Sequence, residues 1–243
     1  NTYAGTTTVN SGTLELGRTS FDGSVPGPLV IGDGSLVDSV VLLAGSQIAN
    51  AAPVTLNPGA LLNLNNFVER VASLDMTAAT VDSGLSTLFL NSGGVTTHAS
   101  ATGSTILGHL DLGGGVRVFD IASGVAAPDL LVSAVVSGGG VTKNGGGNLQ
   151  FSGANTYAGL TTINDGFIII TQPTGLGTSA AGAVLSGTGA LSLVGVTVTS
   201  ETLTNNSSST ILQASGVSGW GSNVVLNADL QIQSLSGTFD ISG

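Results

Sequence analysis

His98 and His109 are the only histidines in the 243-residue chain. With Asp111 and Asp120 they are the first candidates for metal binding or acid–base work, because imidazole titrates near neutrality and ligates metals. Their spacing of eleven residues matches no ligand signature on a short element, and two imidazoles make a thin coordination set. Solvated surface histidines are expected instead. The stretch IGDGSLVDS, Ile31 to Ser39, sets serines among acids and glycines, but it lacks the order of a nucleophile loop, and an active serine needs His and Asp support. Asp22, Asp33, Asp38, Asp75 and Asp82 are scattered singly, whereas polysaccharide cleavage needs paired carboxylates or an acidic calcium cluster beside a base. Gly108-His109-Leu110 is not a Gly-His-Gly motif, and three arginines leave little to hold an acidic sugar.

Asp22, Asp33 and Asp38 would make a weak calcium site only if the Gly/Pro loop between Arg18 and Gly34 folds back, and no Gly-Gly-x-Gly-x-Asp tandem supports it. Thr6-Thr7-Thr8 is one run, without the threonine column on every coil that an ice-binding face needs. Asn57, Asn63, Asn65 and Asn66 are read structurally: asparagines stacked in successive turns would form a side-chain amide ladder. These residues supply no catalytic set, cofactor site or metal site.

The elements that carry these residues are short strands. Apolar residues come as i, i+2 pairs such as Leu14/Leu16, Val40/Leu42, Val54/Leu56, Leu62/Leu64, Leu149/Phe151 and Leu191/Leu193. Gly, Asn, Asp and Ser, which tolerate tight and left-handed turns, fill the intervals. The spacing predicts strands of three to five residues at dense intervals and almost no helix. A sandwich favours longer strands and more aromatic residues than the 4% present. A parallel β-solenoid favours small and β-branched residues in narrow interior columns with Gly and Asn at the corners, and the composition fits it better.

Charge narrows the partners. Four basic residues, Arg18, Arg70, Arg117 and Lys143, stand against 14 acidic ones, giving a net charge of −10. Nucleic acid is disfavoured, because phosphate neutralisation needs clustered Lys and Arg, and anionic membranes are disfavoured for the same reason. With 41% hydrophobic residues the chain can bury a core. There is no cysteine, so disulfides and thiolate chemistry are excluded, as suits a chain exported unfolded. The most apolar region, Ile121 to Val141, is interrupted by Pro128, Asp129 and glycines and is not expected to span a membrane.

One stretch is written twice. NTYAGTTTVNSG at Asn1 to Gly12 returns as NTYAGLTTINDG at Asn155 to Gly166, with nine of twelve positions identical at an offset of 154. The paired positions Asn1/Asn155, Thr2/Thr156, Tyr3/Tyr157, Gly5/Gly159, Asn10/Asn164 and Gly12/Gly166 read as one solenoid corner rebuilt seven or eight coils along. At about 4.8 Å per coil the two tyrosines cannot share a small ligand. Each is expected to cover the core edge with its hydroxyl bonded to a turn. A second echo, Phe119-Asp120-Ile121 and Phe239-Asp240-Ile241, suggests internal units of 1–154 and 155–243, the second incomplete. The whole 1–243 is then one continuous solenoid cut from a longer array.

Gly138 to Ile170, GGGVTKNGGGNLQFSGANTYAGLTTINDGFIII, resembles the autotransporter-associated β-strand repeat, also called the passenger-associated transport repeat. The hallmarks stand at Thr142, Lys143, Leu149, Ser152 to Tyr157, Gly159, Thr161, Thr162, Asn164 and Gly166, and Asn1 to Gly17 matches the second half. The resemblance implies a right-handed parallel β-helix of roughly a dozen coils in a secreted or surface-displayed protein of a Gram-negative bacterium, with a repeat that carries no catalytic residues. The expected function is a non-catalytic stalk, surface layer or fibre. Its expected partner is itself, joined through ends carrying Tyr3, Phe239 and Ile241, with cell-surface or matrix components as further candidates. No nucleic acid and no membrane insertion by this segment are expected. Two alternatives stay open: an adhesin that binds through a coil face or through loops 20–34 and 204–221, and a polysaccharide-active enzyme.

Overall fold

The computed structural model describes residues 1–19, 23–35 and 37–242. Among the described residues all strand pairs are parallel, and no segment is helical. Three-residue strands dominate because each coil offers only a short straight side before the next Gly, Asn or Ser turns the chain. In strands such as Leu29–Ile31, Val54–Leu56 and Leu74–Met76 the outer two residues point inward and the middle one outward, the period-2 alternation of a pleated strand.

Successive coils stack these sides into sheets. The first sheet has eleven rungs, from Thr7–Val9 to Val224–Leu226. The second runs from Thr13–Leu16 to Gln231–Ser234, also over eleven rungs. The third side is partial. It is formed by Glu69–Val71, the second halves of Thr80–Leu90 and Ser104–Asp111, and Val135–Ser137, and it returns as Thr197–Val198, Val217–Trp220 and Thr238–Ile241. The architecture is thus the expected β-solenoid, of about 10 turns.

The core is a set of interior columns. One starts at Thr7 and passes through Leu29, Val54, Leu74, Val95, Phe119, Lys143, Ile163, Leu185 and Asn205 to Leu226. Its aliphatic members from Leu29 to Leu185 are almost entirely buried, each contributing roughly 1.5–3 kcal/mol of transfer free energy. Phe119 meets Phe151 edge to face at 6.0 Å, a favoured aromatic geometry.

This column shows why the coil period is loose in the sequence. Ile163 corresponds to Val9 in the repeated motif, yet it stacks on the column that begins at Thr7. The six-residue strand Val116–Ile121 absorbs the difference: Phe119 and Ile121 continue the columns below, while the strand that follows pairs two residues further toward its start. The frame slides by two residues, so every side chain keeps its face. The motif copies occupy the first and eighth rungs of the first sheet, seven steps apart.

Two expectations are corrected. Asn57, Asn63, Asn65 and Asn66 do not stack in successive turns, because 63–66 lie in one coil. Each bonds backbone instead: Asn57 Nδ2 donates to Gly32 O (2.6 Å), Asn63 Oδ1 accepts Asn65 N (2.7 Å), Asn65 Nδ2 donates to Leu42 O (3.1 Å), and Asn66 Oδ1 accepts Leu85 N (2.8 Å). Amide-to-amide bonds between coils occur elsewhere, from Asn164 to Asn144 (2.9 Å) and from Asn227 to Asn206 (2.8 Å). The Phe-Asp-Ile echo also fails as a repeat marker. Phe119 is buried in the first sheet, whereas Phe239 lies in the third, in register with Ser218. A strand of apolar-acidic-apolar pattern fits either side of a coil.

Candidate functional site

Of the residues shared by the motif copies, Asn1 and Asn155 reach neighbouring coils with their side chains. Asn155 is buried between two of them: its Oδ1 accepts Val136 N (2.9 Å) and its Nδ2 donates to Gly175 O (2.7 Å). Asn1 repeats the second contact, Nδ2 donating to Ser24 O of the next coil (2.8 Å). Tyr157 is wholly buried, with its hydroxyl 2.8 Å from Thr161 Oγ1. Tyr3 makes the same contact to Thr7 but is 41% exposed. The hydroxyl thus bonds the strand that follows. Burial pushes the Tyr157 phenol well above its ordinary value, so it stays neutral. Thr156 N donates to Val136 O (2.8 Å), while Thr2, Gly5 and Asn10 face solvent. Gly12 and Gly166 take φ of 79° and 62°, the left-handed turn that Gly adopts without strain.

Lys143 is the second component. Its position in a three-sided apolar column would be hostile to an ammonium, yet the side chain is fully buried. Nζ donates to three carbonyls at the corner: Asn144 O (2.8 Å), Gly145 O (2.6 Å) and Asp165 O (3.1 Å). All three ammonium donors are matched. Burial pulls its pKa down to about 8, opposed by the charges of Asp165, Asp120 and Asp129, so it is still largely cationic at neutral pH. Asn205, two rungs along the column from Ile163, works similarly, donating to Ala228 O (2.9 Å) and Asp229 O (3.0 Å) of the next coil.

Other polar residues serve corners in ways the sequence reading missed. Arg117 reaches four carbonyls: Leu112 O, Ser92 O, Leu90 O and Asn91 O, at 2.8–3.1 Å. Glu69, fully buried, accepts Gln47 N (2.6 Å), Ile48 N (3.2 Å) and Arg70 N (3.0 Å). Gln47 in turn ties Arg18 N and O, Gly45 O and Ser24 Oγ. Asp129 accepts Gly124 N and Asn148 N. Their spacing carried no periodic signal. The only hint was a charged or amide residue isolated among apolar and glycine neighbours.

The residues first considered for chemistry are dispersed. His98 lies at the surface with Nε2 2.7 Å from Asp75 Oδ1. His109 departs from the expected solvated surface: it is half-buried, its Nδ1 is shielded from solvent, and its backbone N and O both meet Ser83 Oγ. Asp33, Asp82 and Asp111 each accept a backbone N–H two residues on. Asp38 is buried, with no partner for either oxygen among the described residues, and Asp22 lies outside the described residues. Among the described residues no three His, Cys, Asp or Glu converge as a metal cage. Phe239 and Ile241 sit on the last described strand, with Ile241 43% exposed.

Comparison with known proteins adds one finding. Neither the curated proteins nor the solved structures compared with the chain include a match. The repeat family suggests a secreted or surface location in Gram-negative bacteria. Residues 1–16 and 141–170, the stretches that hold Asn1, Tyr3, Lys143, Asn155 and Tyr157, match the family model of the passenger-associated-transport-repeat, and in repeat and fold alike the chain fits an autotransporter passenger-like repeat protein.

Proposed function

We propose that the chain is a non-catalytic structural segment of a secreted or surface-displayed protein, a stiff rod that projects or links other parts. The observation that carries this reading is the use of the repeat's polar signature. Lys143 and Asn155 direct their functional groups at adjacent coils, Tyr157 bonds the strand that follows it, and none is left free for a substrate. At about 4.8 Å per rung, ten steps give a rod about 50 Å long. The test is surface display of the full protein by the cell that makes it. Lys143→Met strips the cation from three corner carbonyls, each a buried acceptor left unmet. Protease-resistant protein at the surface should fall several-fold, while Thr162→Ala on the outer face leaves it unchanged. A Lys143→Met protein displayed and protease-resistant at the wild-type level overturns the reading.

End-to-end association of the 243-residue chain belongs to this proposal. On the last described coil the inward-facing Leu226, Ile232 and Ile241 are 60%, 50% and 43% exposed, beside open strand edges of the kind that template pairing. Head-to-tail contact of this type is heterologous and forms open polymers. Sedimentation over a hundredfold range of concentration should show growing oligomers, abolished by Ile232→Glu with Ile241→Glu. A strictly monomeric chain rules this part out.

A second reading, adhesion through a coil face, draws support from one row. Val118, Thr142, Thr162, Val184, Thr204 and Val225 are in register on the outer face of the first sheet. The row is β-branched and uncharged.

A further inference from the structure

Glu201 lies at the corner between the third-sheet strand Thr197–Val198 and the first-sheet strand Leu203–Asn205. It is 2% exposed, and neither carboxyl oxygen has a hydrogen-bond partner among the described residues. Among the buried carboxyls of the described residues Asp38 shares this state, and the other two do not. Glu69 and Asp129 are also buried, and each accepts two or more backbone N–H groups. A carboxylate enclosed without donors has lost its hydration and gained nothing in return, whereas the neutral acid tolerates the same site.

We propose that the Glu201 corner is a proton-operated latch: the neutral carboxyl keeps the last coils closed on the stack, and ionisation loosens them. The corner faces few charges. Its own segment, Thr197 to Thr202, holds no other titratable group. The adjoining stretches Thr178–Gly182 and Gly221–Asn223 hold none. Tyr157 is the group that the charge reaches, its neutral phenol favoured further by a carboxylate at Glu201. Next to this corner the third sheet carries Trp220, fully buried with its Nε1 unpartnered, so the segment holds unmet polar groups from both coils.

Burial pushes the Glu201 carboxyl up to about 7 from its ordinary 4.5. Between those pH values the folded chain retains a proton that the unfolded chain has released, so stability falls as pH rises through the window and levels off above it. Amide exchange, corrected for the intrinsic rise of its chemical rate with pH, reads this directly. From pH 5 to pH 8 the protection of Leu203–Asn205 and Val217–Trp220 should fall by on the order of a hundredfold. Protection of Gly140–Asn144 should hold, and in Glu201→Gln the fall should vanish. A pH-independent wild type, or a Gln variant that keeps the fall, overturns the latch. Should the variant fold poorly, the infrared carbonyl band of a buried neutral acid decides the matter in the unaltered chain: present at pH 6 and gone by pH 9 if the latch exists, missing at pH 6 if it does not.

Discussion

Tyr157→Ala is expected to destabilise the chain by about 4 kcal/mol, and Tyr3→Ala by less than about 1 kcal/mol. The two tyrosines occupy one motif position and make one contact, hydroxyl to the threonine four residues on. Their surroundings differ. The Tyr157 ring has no exposed surface, and a Cβ built on Gly177 of the next coil would lie 2.9 Å from its ring atoms, so the ring fills its space completely. Truncation opens a cavity the coils cannot collapse into without breaking their ladders, and it strands the buried Thr161 hydroxyl. Tyr3 is 41% exposed and its loss opens little. Tyr157→Phe separates the contributions: the ring stays, only the hydrogen bond goes, and about 1 kcal/mol is expected. Urea midpoints of the four proteins measure the series. Equal, small losses at both tyrosines would remove the packing role and favour a surface ligand.

The glycines two residues further on should diverge as sharply. Gly159→Ala would set a Cβ 2.5 Å from Gly139 O and 2.8 Å from its carbonyl carbon. Those are backbone atoms of the preceding coil, held by the bond from Gly159 N to Gly139 O at 2.7 Å. The alanine must therefore force two rungs apart, and a loss of about 4 kcal/mol is expected, in the range reserved for overpacking of fixed structure. At Gly5 nothing lies within 4 Å of the new Cβ and φ is not positive. Gly5→Ala in the 243-residue chain should be neutral within about 0.5 kcal/mol, since restricting the unfolded chain works in its favour. Thermal midpoints check the pair, and a Gly159→Ala chain as stable as the Gly5→Ala chain would contradict the rung contact.

Several structural features were legible before any coordinates. The i, i+2 alternation identified strands, and the shortness of each run together with scarce aromatics favoured stacked coils over facing sheets. The repeated dozen residues were read as architecture, and Tyr157, read there as a cover of the core edge, is wholly buried. Lys143 was visible as a hallmark of the repeat, but its work was not, because the carbonyl of Asp165 that helps to hold it arrives one coil later in the chain. Glu69, Arg117 and Glu201 were missed for the same reason. A buried charge announces itself by what surrounds it, and part of what surrounds it here comes from residues 20 or more positions away.

The amino-acid sequence by itself determined the element type, the inward and outward faces, and the places where the chain turns, since these depend on side-chain period and on residues that tolerate left-handed backbone. Only the tertiary structure decided how coils align. The slide of two residues at Val116–Ile121 preserves the alternation, so no local pattern records it. The Phe-Asp-Ile echo fails for the complementary reason, as one local pattern suits two different sheets. Whether a motif residue is critical or idle is likewise a property of the stack. Gly5 and Gly159 are the same residue in the same motif, and Tyr3 and Tyr157 likewise. The second of each pair lies between two coils and the first has, among the described residues, a neighbour on one side alone, so burial and steric cost follow from what is stacked above and below.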